Sequence, residues 1–173
     1  MSGRISQTLV VLSILGLTSA AHARVAGGYV GGGARVFEDD WVPMASVHGY
    51  LNIDTMIDLT ADLHVRPFGI DQEAVEIAGG SVGFSFIPPI PGPIGAEVGL
   101  TGGMLRPGAL TDQFTESIED EYLPVFTYEF AATVTLFPLV RLRASYQSAL
   151  GSPAGTAKRL FGSQFLVMLG IGI

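Results

Sequence analysis

Residues 122–150 read YLPVFTYEFAATVTLFPLVRLRASYQSAL, and their two-residue alternation decides the fold class. On either side of a bend at residues 137–139, apolar side chains occupy one parity of each run. Such alternation over two successive runs predicts β-strands. The polar parity carries Glu129, Arg141, Arg143 and Gln147. A soluble sheet would turn that charged face to water, whereas a membrane barrel turns its apolar face to lipid and packs the charges inside.

Composition favours the membrane alternative. The chain is 48% hydrophobic and 14% charged, whereas about a quarter of the residues of a soluble domain are charged. No run of about 20 apolar residues indicates a spanning helix. Cysteine is absent, which excludes disulfides, thiolate nucleophiles and cysteine metal sites. The acidic balance and the single lysine disfavour nucleic-acid binding.

The N-terminus has the pattern of an export signal. Arg4 precedes an apolar core at residues 9–17, and Ala21-His22-Ala23 forms a small-x-small cleavage site. We therefore expect residues 1–23 to be a cleaved signal peptide and residues 24–173 to be the mature domain. Cleavage removes one base and no acid, so the mature chain has a net charge of −8.

The mature chain divides into eight apolar segments separated by turn or loop signals. The predicted strands cover residues 24–37, 44–52, 55–65, 74–87, 94–105, 122–136, 140–150 and 159–173. Gly79-Gly80 is the expected position of a β-bulge, because the apolar parity changes there. Connections after the even strands are short, and those after the odd strands, beginning with residues 38–43, are longer and polar. This asymmetry predicts an all-β, eight-stranded antiparallel up-and-down barrel that spans a membrane.

One other architecture fits part of the chain. Residues 77–105 hold a single charge, Glu97, and a helical hairpin in an inner membrane is the alternative there. Their four prolines and frequent glycines disfavour helices.

The last strand completes a resemblance to a known class. Counting back from the C-terminus, alternate positions hold Ile173, Ile171, Leu169, Val167 and Phe165. Together with the signal peptide and the eight strands, this pattern resembles the small outer-membrane barrels of diderm bacteria, the group of the OmpA transmembrane domain, OmpX and OmpW. The resemblance implies an outer-membrane monomer with short periplasmic turns and longer external loops, surrounded by lipid and lipopolysaccharide. It also implies that the barrel-assembly machinery recognises the last strand, whose signal usually ends in an aromatic residue rather than Ile173.

A barrel of eight strands is just wide enough for side chains to fill its interior, so we expect no broad, porin-like pore. Strand positions predict a compensated ionic layer a few residues above the short turns, made by Asp58, Glu97, Arg141 and Arg143. Buried charges persist only when they are paired. A structural plug is the favoured interpretation of this layer, and a gated proton or ion path is the alternative.

A second polar group is predicted above that layer. It contains His48, Asp62, His64, Glu129 and Gln147. A turn in register at Pro138 places Glu129 closer to Gln147 than to either arginine. We therefore expect its charge partner to come from elsewhere in the barrel, outside these two strands. The remaining base near this height is Arg35.

These features favour a structural or surface-interaction role without cofactor or catalytic residues. Two alternatives remain: a lipid A acylase or deacylase that uses Ser and His, and a narrow OmpW-like conduit for ions or small apolar molecules. Neither Ser46-Val47-His48 nor Asp62-Leu63-His64 matches a catalytic motif, so we expect His48 and His64 to be lumen residues.

The predicted external loops carry most of the acidic residues, which we expect to be solvated rather than metal-bound. Weak candidates for Ca²⁺ or Mg²⁺ ligands that bridge lipopolysaccharide phosphates are Asp39, Asp40, Glu119, Asp120 and Glu121. Their spacing matches no EF-hand.

Overall fold

The computed structural model describes residues 25–37, 40–66, 76–106, 122–151 and 162–172. They form eight antiparallel strands in one closed barrel. The strands are β1 (Ala26–Phe37), β2 (Asp40–Asp54), β3 (Ile57–Arg66), β4 (Glu76–Phe86), β5 (Ile94–Leu105), β6 (Leu123–Thr135), β7 (Val140–Gly151) and β8 (Ser163–Gly172). Each strand pairs with the next, and β1 pairs with β8 to close the barrel, with Val30 opposite Leu169. The predicted fold class is confirmed.

Residues 77–105 lie on β4 and β5 and on the connection between them, so the helical-hairpin alternative is wrong. Among the residues that the structure describes, no helix has the length and apolar character needed to cross a membrane.

Alternation sorts the side chains into a lumen face and an outer face. Along β3, buried and exposed residues alternate almost without exception, and β8 behaves in the same way. The outer face is apolar, with exposed side chains that include Val47, Leu59, Leu63, Val82, Phe84, Leu100, Phe130, Val167, Leu169 and Ile171. An apolar outer face around a polar interior is the pattern of a barrel in lipid, the reverse of a soluble sheet.

The two ends of the barrel differ in their connections. We call the end with the short connections after β2, β4 and β6 the turn end, and the opposite end the loop end. The turn-end connections are residues 55–56, 87–93 and 136–139. At the loop end, residues 67–75, 106–122 and 152–162 join the strands.

The first loop-end connection departs from the prediction. Residues 38–43 were expected to form a loop, but β2 begins at Asp40 and only residues 38–39 separate it from β1. Trp41 is exposed and Val42 is buried, so the alternation of β2 runs on through Pro43. Pro43 is tolerated because, among the described residues, β2 pairs there with β1 alone, and a proline lacks the N–H that a second neighbour would need.

The predicted bulge in β4 is present one residue earlier than expected. His64 pairs with Gly79 and Val65 pairs with Ile77, which leaves Ala78 as the extra residue. Ala78 and Gly79 are consequently buried in succession, and the lumen-facing parity of β4 changes there.

Candidate functional site

The lumen holds the charged and polar side chains that the outer face lacks. Its buried acids are Asp58, Asp62, Glu97 and Glu129, and its buried arginines are Arg35, Arg66, Arg141 and Arg143. Four acids therefore meet four bases in the described part of the interior. All nine residues predicted for the two polar groups lie inside the barrel, each with less than a tenth of its surface exposed.

Arg143 is the centre of this interior. Its Nη1 and Nη2 donate to the two carboxylate oxygens of Glu129 at 3.0 and 2.8 Å, and its Nε donates to Glu97 at 3.0 Å. Both acids lie on other strands, Glu97 on β5 and Glu129 on the intervening β6. The planar guanidinium suits this fork, because two parallel hydrogen bonds to one carboxylate fix its orientation.

The expectation that Glu129 is paired by a residue other than Arg141 or Arg143 is wrong. The predicted register is present, with Glu129 opposite Gln147 on β7. Arg143 nevertheless reaches Glu129 from four residues away along β7, because its long side chain extends along the lumen. The Gln147 amide instead donates to Thr127 at 3.2 Å, and Thr127 shares a 2.6 Å hydrogen bond with Thr101.

The lower residues of the predicted ionic layer also face the lumen. Asp58 accepts a 2.9 Å hydrogen bond from the side chain of Asn52. Arg141 lies two residues from Arg143 toward the turn end, on the same face of β7. It pairs with Thr135 on β6 and with Gly170 on β8. Within this layer Arg143 contacts Glu97 directly.

Tyr29 is a lumen residue that the sequence reasoning missed. The Arg143 guanidinium lies 5.8 Å from the centre of its ring, within the range of a cation–π contact. The ring is also 5.8 Å from the rings of His48 and Tyr50. Tyr29 stands among the glycines of β1, where too few side chains alternate to mark an inward face.

His48 and Asp62 form another buried polar contact of the lumen. They lie directly opposite each other on β2 and β3, and His48 Nδ1 donates to Asp62 Oδ1 at 2.8 Å. The other oxygen of Asp62 accepts from Ser81 on β4 at 3.5 Å. Burial makes this contact strong, since a carboxylate in the lumen requires donors from the protein.

His64 belongs to a separate chain of hydrogen bonds nearer the loop end. Its Nδ1 lies 2.9 Å from Ser46 Oγ and 3.2 Å from Gln164 Nε2. Gln164 accepts a hydrogen bond from Arg35. This contact directs the amide nitrogen of Gln164 at His64, so Nδ1 accepts and the ring proton lies on Nε2.

Two of these residues bear on the sequence predictions. Arg35 was the base expected near the upper acids, and it donates a hydrogen bond to Gln164. Gln164 was missed, although the strict alternation counted back from the C-terminus places it on the lumen face of β8.

The loop candidates for metal binding fall largely outside the described residues. Asp39, Glu119, Asp120 and Glu121 lie there, and of Asp40 only the backbone position at the start of β2 is described.

No protein-family model matches the chain, and no curated protein matches its sequence. Among solved structures, the chain is similar to the N-terminal β-barrel domain of Pseudomonas aeruginosa OprF, with a TM-score of 0.57 and 11% identity. The match covers 87% of this chain and 98% of that domain. The predicted resemblance is confirmed at the level of the fold: the chain has the eight-stranded barrel architecture of OmpA-like transmembrane domains.

Proposed function

We propose that this protein is an outer-membrane β-barrel with a structural or surface-interaction role and a lumen closed to solutes. The mature domain, residues 24–173, would be exported by the signal peptide of residues 1–23. Its apolar outer face suits lipid, and lipopolysaccharide would surround its loop end. Assembly would use the alternating β8 strand, and the barrel would act as a monomer. The similarity to the OprF barrel domain supports this location.

The network of contacts around Arg143 is the observation that best supports the proposal of a closed lumen. One guanidinium bridges carboxylates from β5 and β6 and packs over Tyr29 on β1. These groups link opposite sides of an interior that is only wide enough for side chains. Arg143 has no exposed surface, and Glu97 and Glu129 are each 4% exposed. Passage of an ion would require this network to break.

Planar-bilayer recording tests this proposal and separates it from the conduit alternative. We expect the refolded wild type to give little or no conductance. Arg143→Met leaves the carboxylates without their bridge, so it should raise the frequency of opening if the network closes the lumen. A stable, large conductance of the wild type would overturn the plug and favour a conduit.

The contact between Ser46 and His64 is the observation that keeps an enzymatic role open. A serine hydroxyl 2.9 Å from an imidazole is the distance of a nucleophile and its base. Both side chains are buried in the lumen, away from the lipid-facing surface where an acyl chain would arrive. We therefore propose that the protein is not an enzyme.

The lipid A mass spectrum of cells expressing the protein tests this second function. We expect it to match that of cells with the empty vector. A changed acylation pattern that is lost in His64→Ala or His48→Ala would establish the enzymatic alternative.

A further inference from the structure

Three carboxylates lie close together in the middle of the lumen. Glu97 and Glu129 share the single guanidinium of Arg143. Asp62 is adjacent to this pair, with ligand-type oxygen atoms of Asp62 and Glu129 within 4.8 Å of each other.

We propose that His48, Asp62 and Glu129 form a binding site for a divalent transition-metal ion, with Zn²⁺ as its representative. Each residue offers one ligand atom, and the three atoms all lie within 4.8 Å of one another. They come from β2, β3 and β6, so the site is assembled only by closure of the barrel. One imidazole nitrogen with two carboxylate oxygens suits zinc and related ions better than Ca²⁺ or Mg²⁺, which prefer oxygen alone.

The geometry is close to what zinc requires. Ligands about 2.0–2.2 Å from the ion in tetrahedral arrangement lie about 3.4 Å apart, so small side-chain rotations bring the three atoms into range. His48 Nδ1 and Asp62 Oδ1 already face each other at 2.8 Å, and zinc bound between them would replace the proton that they share, which leaves to solvent. All three side chains are less than 8% exposed, and a dry site strengthens the attraction between the ion and the carboxylates.

Arg143 would allow Glu129 to release one oxygen to the ion without losing its arginine contact. It occupies both oxygens of Glu129, and it also holds Glu97 through Nε. When the ion takes one oxygen of Glu129, the guanidinium keeps the other oxygen and Glu97, so no charge is left alone. Binding of the ion and the strength of the Arg143–Glu129 contact are thereby coupled.

Unsatisfied polar atoms flank the site. Among the described residues, neither His64 Nε2 nor Gln147 Oε1 has a hydrogen-bond partner, although both are buried. His64 is two residues from Asp62 on the same face of β3, and Gln147 is directly opposite Glu129. Buried polar atoms in native proteins are generally satisfied, by water if not by protein. A water molecule on the bound ion would supply a fourth ligand, and its O–H groups suit an acceptor such as Gln147 Oε1.

The experiment uses the untagged mature chain, residues 24–173, refolded in detergent with and without Zn²⁺. This chain contains two histidines, His48 and His64, so the ¹⁵N-imidazole NMR spectrum has two side chains to assign. We expect one retained zinc per folded chain after removal of free metal, with a shift of a His48 nitrogen to the metal-bound range. His64 should remain a neutral ring.

Variants locate the site. His48→Gln and Glu129→Gln should each weaken zinc binding by about tenfold or more, the scale of loss expected at a metal site. Asp58→Asn is the matched control, a buried lumen carboxylate outside the group, and should bind zinc as the wild type does. The proposal is overturned if the wild type retains no zinc, if His48→Gln retains as much, or if the His48 nitrogens do not respond. If a variant fails to fold, the imidazole NMR spectrum of the wild type with and without zinc tests the proposal by itself.

Discussion

At the scale of single residues, Arg143 links two acidic side chains in the centre of the barrel. It makes three hydrogen bonds to two carboxylates and lies over an aromatic ring. A buried ion pair contributes little relative to an apolar core of the same shape, but removing one partner leaves an uncompensated charge. The stability of this lumen therefore depends on the network remaining complete.

Replacing Arg143 tests that dependence. Arg143→Met removes the guanidinium that contacts both Glu97 and Glu129, and we expect it to reduce the free energy of unfolding by about 3–5 kcal/mol. Arg143→Lys keeps the charge but loses the two-pronged contact, so its loss should be smaller. Urea unfolding in lipid vesicles measures both. Equal stability of Arg143→Met and the wild type would contradict the assignment.

A double variant gives an internal control. Glu129→Gln combined with Arg143→Met removes the negative charge of the carboxylate that lost its arginine. The double variant should therefore be more stable than Arg143→Met alone. If the two losses simply add, then Arg143 and Glu129 do not interact in the folded protein.

At the scale of elements, the barrel is closed by a seam in which β1 approaches β8 closely. A Cβ at Gly33 would collide with the carbonyl oxygen of Phe165 on β8. Only glycine fits at that approach, because the colliding atom belongs to a backbone and cannot rotate away. Gly33 is therefore a requirement of closure rather than a weakness of the strand.

A pair of glycine substitutions tests the seam. Gly33→Ala should push β1 from β8 and destabilise the barrel by about 1–3 kcal/mol, as overpacking generally does. Gly49→Ala on β2 is the control, because its Cβ would meet its nearest neighbour at 4.0 Å. The yield of refolded barrel, measured by gel mobility without boiling, compares them. A similar yield for both variants would show that the seam can open enough for a side chain.

At the scale of the whole molecule, the lipid-facing surface and the polar lumen depend on the same alternation. Every strand contributes outward apolar and inward polar residues, and closure removes all sheet edges. We expect the detergent-solubilised protein to migrate differently on gels before and after boiling and to give a β-type circular dichroism spectrum. Unchanged migration with a helical spectrum would contradict the barrel.

The acidic loop sequences define a test of the surface role. Neutralising the acids of one loop-end connection to amides should leave refolding unchanged, because these residues belong to none of the eight described strands, and should reduce adhesion of expressing cells. The residues are Asp112, Glu116, Glu119, Asp120 and Glu121. Unchanged adhesion would remove this connection from the proposed interaction surface.

The sequence alone determined the number of strands, their approximate bounds and the face on which most side chains lie. These properties are local, since the alternation of apolar and polar residues can be recognised from adjacent positions along the chain. It also determined the register of the β6–β7 hairpin, because a short turn fixes the pairing of its two strands. Glu129 opposite Gln147 is the example.

The tertiary structure decided which charges meet. Closure brings Arg143 to two acids on other strands and His48 close to Glu129 across the lumen, through distances set by strand tilt and stagger rather than by sequence separation. It also decided that β2 begins at Asp40, because pairing with β1 continues through residues whose composition resembles a loop. Long side chains and barrel closure act across the interior, where a pattern along one strand carries no information.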